Sequence, residues 1–331
     1  MTPPGASASG EDDLIGRYFR PLATDPGAFG LIDDAAILKS SGDDLVVTTD
    51  AIVEGVHFLP NDPPDTIARK ALRVNLSDLA AKGAVPAGFV LTLALREVKD
   101  EWLAPFAKAL GEDASTFQCP LLGGDTVSTP GPLMISVTAF GRVPSGKMIR
   151  RNGAKPGDKI VVSGTIGDAA LGLRLLKGNL KGDGLDSAAY DSLVQHYRVP
   201  QPRNAIAMAV RGHASAAMDV SDGLAGDLAK LCAASGVSAK IDVSSIPLSK
   251  AARILLDAGQ MDIEDIVAGG DDYEILCTIP ENRWESFKTD SASAGVAVTC
   301  IGSVAAGDGA PVFVGPKGNA IVLKRLSYSH F

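Results

Sequence analysis

The residues around which the rest of the chain is arranged are Val46-Val47-Thr48-Thr49-Asp50-Ala51-Ile52-Val53-Glu54-Gly55-Val56-His57-Phe58. The segment begins with an apolar, β-branched run that predicts a strand. Thr48-Thr49-Asp50 follow where the apolar run stops, which predicts that they lie at the end of that strand. Oxygen ligands crowded at a strand end suit a hard cation such as Mg²⁺. For this tripeptide alone, a strand that ends in a turn is the simpler interpretation.

Length, composition and charge predict a two-domain globular enzyme. The chain has 331 residues, more than the roughly 250–300 at which a single core stops growing. Its hydrophobic content of 46% and charged content of 21% are ordinary for such an enzyme. A net charge of −8 argues against a nucleic acid or an anionic membrane surface as partner. An acidic protein can still bind a phosphate ligand when cations lie between its carboxylates and the phosphates.

Cysteine usage and the absence of a targeting segment predict a cytoplasmic protein. The four cysteines lie far apart, at Cys119, Cys232, Cys277 and Cys300. Without a CxxC pair, buried free thiols are favoured over disulfides or a zinc site. No apolar run approaches the roughly 18 residues of a membrane span. Residues 1–10 have neither the charged nor the apolar part of a signal peptide, and their Pro, Gly and Ser content predicts a disordered tail.

Acidic residues recur at other predicted segment ends. Asp33-Asp34 open a strand, although a polar turn is the simpler interpretation of this pair when it is taken alone. Gly123-Gly124-Asp125 form a glycine-rich turn, in which glycine frees the backbone for close approach. Asp219-Val220-Ser221-Asp222 end one strand and open a helix. If these carboxylates converge, they repel one another unless cations hold them together.

One further acid lies on a predicted helix. Pro63-Pro64-Asp65 signal the start of this helix, which runs to about Gly83. Asn75 and Asp78 share one of its faces because they are three residues apart, and their neighbours in sequence are apolar. A half-buried carboxylate without a nearby basic residue needs a partner, although a surface acid remains an equally good interpretation.

The residue types exclude several kinds of site. The chain has no HExxH motif and no EF-hand spacing, so zinc and calcium modules fit poorly. The segment 141–148 resembles a P-loop, but Met148 stands where Ser or Thr is required. Several aspartates with threonine and serine hydroxyls instead fit a multi-Mg²⁺ site on a nucleoside triphosphate. Such a site transfers phosphoryl groups by positioning and charge neutralisation.

Several long motifs resemble those of the thiamine-monophosphate kinase family. They are Asp33-Asp34-Ala35-Ala36, Thr48-Thr49-Asp50 with Glu54-Gly55-Val56-His57-Phe58, Asn75-Leu76-Ser77-Asp78-Leu79-Ala80-Ala81, Gly123-Gly124-Asp125-Thr126, Arg151-Asn152-Gly153-Ala154-Lys155-Pro156-Gly157-Asp158, Asp219-Val220-Ser221-Asp222-Gly223 and Gly269-Gly270-Asp271-Asp272-Tyr273-Glu274. Their order and spacing match over nearly the whole chain, from about Asp12 to His330-Phe331.

The resemblance implies the two-domain fold shared with aminoimidazole ribonucleotide synthetase. Its N-terminal α+β domain pairs with the same domain of a second copy in a homodimer, and its C-terminal domain is α/β. The segment 154–158 is the predicted boundary, because a new strand and then a helix follow it. The N-terminal ATP- and Mg²⁺-binding domain is therefore expected to cover residues 11–153 and the C-terminal domain residues 154–331.

The resemblance also implies ATP-dependent phosphorylation of thiamine phosphate to thiamine diphosphate, assisted by several Mg²⁺ ions. The residues implied to hold Mg²⁺ are Asp34, Thr48, Thr49, Asp50, Asp78, Asp125, Asp219 and Asp222. Those implied to contact ATP are Gly123, Gly124, Asp125, Arg151 and Ser221, and those implied to contact thiamine phosphate are His57, Asp271 and Tyr328. Asp50, Asp125 and Arg151 would be central to catalysis, with the guanidinium neutralising phosphate charge.

The distribution of nucleophiles favours direct, in-line transfer without a phosphoenzyme. A covalent route needs a nucleophile activated by an adjacent base. None of the cysteines falls inside a motif, and His57 is the one histidine that does.

Three positions depart from the family pattern. Ile32 replaces a glycine, Asp271 replaces a glutamate, and Ser327-Tyr328-Ser329 differ from the usual ending.

Two alternatives to this function stay open: another ATP-dependent enzyme of the same superfamily, and a non-catalytic Mg-nucleotide-binding paralogue. Thiamine-dependent release of ADP would separate them.

Overall fold

The structure, a computed structural model, describes residues 29, 32–33, 36–39 and 42–327. The expected tail at residues 1–10 and two of the predicted site residues, Asp34 and Tyr328, lie outside these ranges. The described chain forms two sheets, one within residues 36–144 and the other within residues 159–321, each accompanied by helices. None of its helices combines the length and the apolar character needed to cross a bilayer.

The first sheet has five strands in the order β1-β2-β5-β3-β4. Its strands are β1 (Ala36–Lys39), β2 (Asp43–Val53), β3 (Val85–Leu95), β4 (Leu121–Ser128) and β5 (Met134–Pro144), and its helices are α1 (Pro64–Ala81) and α2 (Asp100–Thr116). Neighbouring strands are antiparallel, except that β3 and β4 are parallel. One face of the sheet packs on the helices through a core that includes Val46, Leu72 and Ile135.

The prediction that Thr48-Thr49-Asp50 end a strand is wrong, because they lie inside β2. The strand continues beyond them to Val53, and its pairing with β5 is unbroken from Asp43 to Val53. Side chains alternate along a strand, and Ile52 returns to the buried face after Asp50. The apolar pattern therefore resumes after the polar residues, and the strand does not stop.

The prediction of a glycine-rich turn at Gly123-Gly124-Asp125 is also wrong. These residues belong to β4, an edge strand in which every residue is exposed. A Cβ atom on Gly124 would lie 1.9 Å from the carbonyl oxygen of Leu91 in β3. The glycine therefore serves the close approach of two strands.

The second sheet has seven strands in the order β12-β11-β8-β10-β6-β9-β7. The strands are β6 (Lys159–Ser163), β7 (Ala216–Val220), β8 (Ser238–Asp242), β9 (Glu274–Ile279), β10 (Val298–Ala305), β11 (Val312–Val314) and β12 (Ala320–Ile321). The helices are α3 (Asp168–Leu176), α4 (Ser187–Arg198), α5 (Ala207–His213), α6 (Leu224–Ser235), α7 (Lys250–Asp257), α8 (Ile263–Val267) and α9 (Trp284–Ser293), with short 3₁₀ turns at Asn204–Ile206, Val243–Ser245 and Glu281–Arg283.

Helix α1 joins the two sheets. Its residues Leu72 and Leu76 belong to the core of the first sheet. Ala80 and Ala81, at its end, pack with residues of the second sheet. Just beyond the helix, the buried ammonium of Lys82 donates a hydrogen bond to the carbonyl oxygen of Ala217 in β7, at 2.9 Å. This helix therefore fixes the residues of one sheet relative to those of the other.

Candidate active site

A cluster of acids lies where β2, α1 and β7 meet. The Thr48 hydroxyl donates to Oδ2 of Asp78 at 2.5 Å. The neighbouring Ser77 hydroxyl donates to Oδ2 of Asp219 at 2.8 Å. Residues 30 and 142 positions apart in sequence are thus brought together by these two bonds. Thr48, Asp78 and Asp219, all predicted as metal ligands, share one region of the structure.

The charge of the carboxylates in this cluster is only partly balanced by the protein. Removal from water, followed by the charges of Asp219 and Asp50, raises the pKa of Asp78 well above its usual value. Burial also raises the pKa of Asp219 to about 7, and the charges of Asp227 and Asp50 contribute. Lys82 opposes both shifts. The cluster therefore disfavours full ionisation unless a cation is supplied.

The donor chemistry fits Mg²⁺. Carboxylates and hydroxyls are hard oxygen donors, and a divalent cation would relieve the repulsion that raises these pKa values. Within the described ranges, however, no three His, Cys, Asp or Glu side chains are already gathered into a metal centre. Asp34 lies outside those ranges. The complete ligand set therefore stays a prediction.

An acid that the motifs did not indicate orders the loop after β7. Oδ2 of Asp227 accepts hydrogen bonds from the backbone N–H groups of Ser221, at 3.1 Å, and Asp222, at 3.0 Å. The ammonium of Lys230 lies 2.6 Å from Oδ2 of Asp222. Burial raises the pKa of Asp227 to about 6, and Lys230 opposes the shift. The available signal was an acid in the first turn of the helix that follows the motif.

The turn that carries Asp271 is bonded to this loop. The backbone N–H of Asp271 donates to the carbonyl oxygen of Ser221 at 2.7 Å. The backbone N–H of Tyr273 donates to the carbonyl oxygen of Val220 at 2.8 Å. Asp271 adopts a left-handed backbone conformation with φ of 72°, which aspartate tolerates better than most residues do. A Cβ on Gly270 would lie 2.6 Å from the Ser221 carbonyl oxygen. Asp271 is therefore held beside Ser221 and Asp222.

The imidazole of His57 has a defined orientation. Its Nδ1 atom accepts a hydrogen bond from the backbone N–H of Val53 at 3.0 Å. A nitrogen that accepts is unprotonated, so the ring proton is carried by Nε2. The loop that holds the ring turns at Gly55, where φ is 82°. His57 can therefore donate from Nε2 to an anion.

A cavity of about 540 Å³ lies between the two sheets. Its polar wall brings together five of the predicted site residues, namely Asp50, His57, Ser221, Asp222 and Asp271. Its apolar wall is formed by residues of both halves of the chain, including Ile52, Val56, Val74, Ala170 and Leu173. Arg174, Lys177 and Arg325 add positive charge to the lining. A ligand with both an anionic group and an apolar part suits this lining.

Other predicted site residues lie apart from this cavity within one chain. β4, which carries Gly123, Gly124 and Asp125, is three strand spacings from β2; at about 4.8 Å per spacing, this is roughly 14 Å. Thr49 lies on the face of β2 opposite Thr48, where its hydroxyl bonds the carbonyl oxygen of Val137 at 3.1 Å.

Arg151 lies at the loop between the two sheets. Its carbonyl oxygen accepts a hydrogen bond from the Ser235 hydroxyl at 2.8 Å. Its guanidinium is close enough to Asp227 to lower the pKa of that carboxyl group. Arg151 is therefore near the loop of Ser221, which Asp227 orders.

Comparison with known proteins defines the class. Residues 32–143 match the N-terminal domain, and residues 155–315 the C-terminal domain, of the AIR synthase related proteins. The fold is thus that of a two-domain AIR synthase related protein, and the two-domain fold class that the resemblance implied is confirmed.

More specific relatives share one name. The thiamine-monophosphate kinase of Caulobacter vibrioides is 44% identical over 99% of this chain and 92% of its own length. The solved thiamine-monophosphate kinase of Stenotrophomonas maltophilia is 39% identical, with a TM-score of 0.77 over 95% of this chain and 98% of that one. A structure described as AaThiL complexed with AMPPCP and TMP is 30% identical, with a TM-score of 0.79 over 92% and 97%. The chain belongs to the thiamine-monophosphate kinase family.

Proposed function

We propose that this chain transfers the γ-phosphoryl group of ATP to thiamine phosphate, which yields thiamine diphosphate and ADP. The observation that carries the proposal is the cavity in which His57, Ser221, Asp222 and Asp271 lie beside Asp50 and the acid cluster. The relative described with AMPPCP and TMP supports the same pair of substrates.

The acids and hydroxyls of the cluster would hold Mg²⁺. The residues concerned are Thr48, Asp50, Asp78, Asp219 and Asp222, to which Asp34 and Thr49 stay predicted additions. When bound, Mg²⁺ neutralises phosphate charge during transfer. Ser221 and Arg151 would bind the phosphates of ATP, and Nε2 of His57 would donate to the phosphate of thiamine phosphate. Asp271 and Tyr328 would contact the rest of that substrate.

Transfer is proposed to be direct and in line. Burial raises the pKa of Cys119 and of Cys232 to about 11, so these thiols resist ionisation at neutral pH. In the described lining of the cavity, Nδ1 of His57 accepts a backbone bond and is therefore not available as a nucleophile. A γ-labelled ATP experiment stopped within one turnover tests this. Label found on the protein and then chased into product would contradict direct transfer.

The exposed strand β4 supports a homodimer. Its apolar residues Leu121 and Leu122 are 52% and 61% exposed, and an exposed edge strand with apolar side chains is a surface that proteins usually cover. A second copy on this sheet would carry Gly123, Gly124 and Asp125 toward the partner's cavity. Sedimentation should show a dimer at micromolar concentration, whereas a fully active monomer would overturn this part of the proposal.

We also propose a division into two domains and a cytoplasmic location. The first sheet ends at Pro144 and the second begins at Lys159, which supports domains of residues 11–153 and 154–331. A reducing cytoplasm suits Cys119, Cys232, Cys277 and Cys300, which are free thiols. The net charge of −8 gives no support to a nucleic-acid partner.

The deciding experiment is incubation with ATP, Mg²⁺ and thiamine phosphate, followed by identification of the products. Thiamine diphosphate and ADP in equal amounts are expected. Release of ADP that does not depend on thiamine phosphate would indicate another ATP-dependent enzyme of the superfamily. Nucleotide binding without turnover would indicate a non-catalytic paralogue.

A further inference from the structure

Lys70 is a buried cation in the wall behind the cavity. It lies on α1, and 2% of its side chain is exposed. Its ammonium donates to Oδ2 of Asp271 and to the carbonyl oxygen of His57, both at 2.8 Å. It also lies 3.9 Å from the centre of the Tyr197 ring. A desolvated ammonium needs such partners, and here two of them belong to residues that line the cavity.

The contacts of Lys70 connect segments that are distant in sequence. His57 belongs to the loop after β2, and Asp271 lies 201 positions beyond Lys70, in the turn before β9. Tyr197, on α4, adds a third tie because its hydroxyl donates to the same His57 carbonyl oxygen at 3.3 Å. The loop follows a strand of the first sheet, and the turn precedes a strand of the second. One ammonium therefore sets the spacing between them.

The network also defines what each group presents to the cavity. Because Oδ2 of Asp271 is bound to Lys70, the other carboxylate oxygen is turned toward the Tyr273 hydroxyl, which lies 3.4 Å away. The His57 ring is held on one side by Val53 and its backbone on the other side by Lys70. Burial, and then the charge of Asp271, raises the pKa of Tyr197, so its hydroxyl remains a donor.

We propose that Lys70 is a positioning residue for thiamine phosphate, which holds His57 and Asp271 at the separation that this substrate requires. The inference rests on the proposed function. Lys70 itself does not touch the reacting atoms. Its removal would displace both substrate contacts, and a displacement of about 1 Å can cost on the order of 10²-fold in activity.

The test measures the KM of each substrate separately for Lys70→Met. The KM for thiamine phosphate should rise about 10- to 100-fold, because both contacts move. The KM for ATP should stay close to that of the unchanged chain. Lys70→Arg keeps a cation at the same place and should recover part of the loss. Equal changes in both KM values would overturn the proposal and indicate a general structural role.

Arg73, three positions after Lys70 on the same helix, provides a matched control. Arg73 is also a buried cation, bound to the Asp113 carboxylate at 2.6 Å and to the carbonyl oxygen of Pro200 at 3.0 Å, away from His57 and Asp271. Arg73→Met should lower the melting temperature without changing the ratio of the two KM values. A selective rise in the KM for thiamine phosphate in Arg73→Met would also overturn the proposal.

A milder variant keeps the test valid if Lys70→Met does not fold. Tyr197→Phe retains the ring and removes the hydrogen bond to His57, so the KM for thiamine phosphate should rise about 2- to 10-fold with that for ATP unchanged. If the KM for thiamine phosphate does not rise selectively in this variant, the inference is contradicted. Failure of the unchanged chain to form thiamine diphosphate would instead overturn the proposed function, and the inference with it.

Discussion

Two carboxylates at helix α1, Asp78 on the helix itself and Asp113 on the helix α2 that packs against it, differ in how their charge is balanced. On one side of the helix, Asp113 is 1% exposed and receives Arg73 at 2.6 Å and Arg69 at 2.5 Å. On another side, Asp78 accepts a hydrogen bond from the Thr48 hydroxyl and is near Asp50 and Asp219, whose charges have the same sign as its own. One carboxylate is neutralised by guanidinium groups, whereas the other is surrounded by more acids.

The difference separates a structural acid from a functional one. Within a buried ion pair each charge offsets the desolvation of the other, and the loss of one partner leaves an unpaired buried charge. An acid cluster whose charge the fold balances only in part lowers stability, and perturbed groups of this kind gather at functional sites. We therefore expect the region of Asp78, and not that of Asp113, to require a cation from outside the chain.

The largest effect is expected on removal of divalent cations. A chelator such as EDTA should abolish formation of thiamine diphosphate, and excess Mg²⁺ should restore it, since the acids would otherwise repel the phosphates of ATP. The melting temperature should fall only modestly, because the carboxylates of the cluster then repel one another again while the ion pairs of Asp113 need no metal. Measurement of product and of thermal unfolding in the same samples checks both. Full turnover in excess chelator would contradict the proposed use of the cluster.

The next effect is that of Asp50→Asn. It removes one negative charge from the cluster with little change in size, and the loss of a comparable electrostatic group costs about 10²–10³ in kcat. Stability should be kept, because a source of repulsion for Asp78 and Asp219 is removed. Steady-state rates at saturating Mg²⁺ measure it. Near-normal turnover would show that Asp50 is not a central ligand.

Asp113→Asn is expected to give the opposite pattern. Leaving Arg73 buried without its carboxylate should lower the free energy of unfolding by about 3–5 kcal/mol. The kcat of the molecules that remain folded should not change, because Asp113 is absent from the cavity lining. Urea unfolding, with activity measured below the transition, separates the two quantities. If Asp113→Asn lost activity while keeping its stability, the contrast between the two carboxylates would fail.

His57→Asn should have a smaller and more selective effect. Loss of a hydrogen bond to a charged phosphate corresponds to a rise of about 10- to 100-fold in the KM for thiamine phosphate. The KM for ATP should change little, because the Nε2–H group of His57 is predicted to contact thiamine phosphate and not ATP. Initial rates with each substrate varied in turn measure the ratio. Equal effects on both KM values would indicate that His57 is a packed residue only.

The smallest effect is a pH dependence of the metal-free protein. The pKa of Asp219 is raised to about 7 in the folded chain, whereas an unfolded carboxylate titrates near pH 4. Between these values the folded state binds more protons, so the free energy of unfolding should fall as pH rises and level off above about 7. Urea unfolding across this window should show a shallower fall for Asp219→Asn or after addition of Mg²⁺. A slope in Asp219→Asn equal to that of the unchanged chain would assign the effect to other groups.

Local structure and family membership could be predicted from the sequence because their signals are contiguous. The strand and the helix predicted to follow residues 154–158 are confirmed, as Lys159–Ser163 and Asp168–Leu176. Helix α1 begins at the expected proline and ends two residues before Gly83, whose φ of 69° excludes most other residues. The motifs carry similar information, since each is a short run whose order along the chain is sufficient for comparison.

The extent of the strands and their pairing were decided only by the tertiary structure. The polar run Thr48–Asp50 suggested a strand end, but pairing with β5 and the burial of Ile52 extend the strand. Gly123–Asp125 suggested a turn, but pairing with β3 draws them into an edge strand. In both cases the backbone hydrogen bonds come from a strand that is distant in sequence.

The same reason explains which site residues the motifs identified and which they did not. Asp50, His57, Ser221 and Asp271 stand in motifs and do line one cavity. The roles of Lys70 and Asp227 come from their contacts: Lys70 bonds a carboxylate 201 positions away, and Asp227 accepts bonds from backbone N–H groups of the loop that precedes its helix. A sequence specifies which charges the chain carries, but only the fold determines which of them are neutralised, because that depends on distances and burial that no local pattern contains.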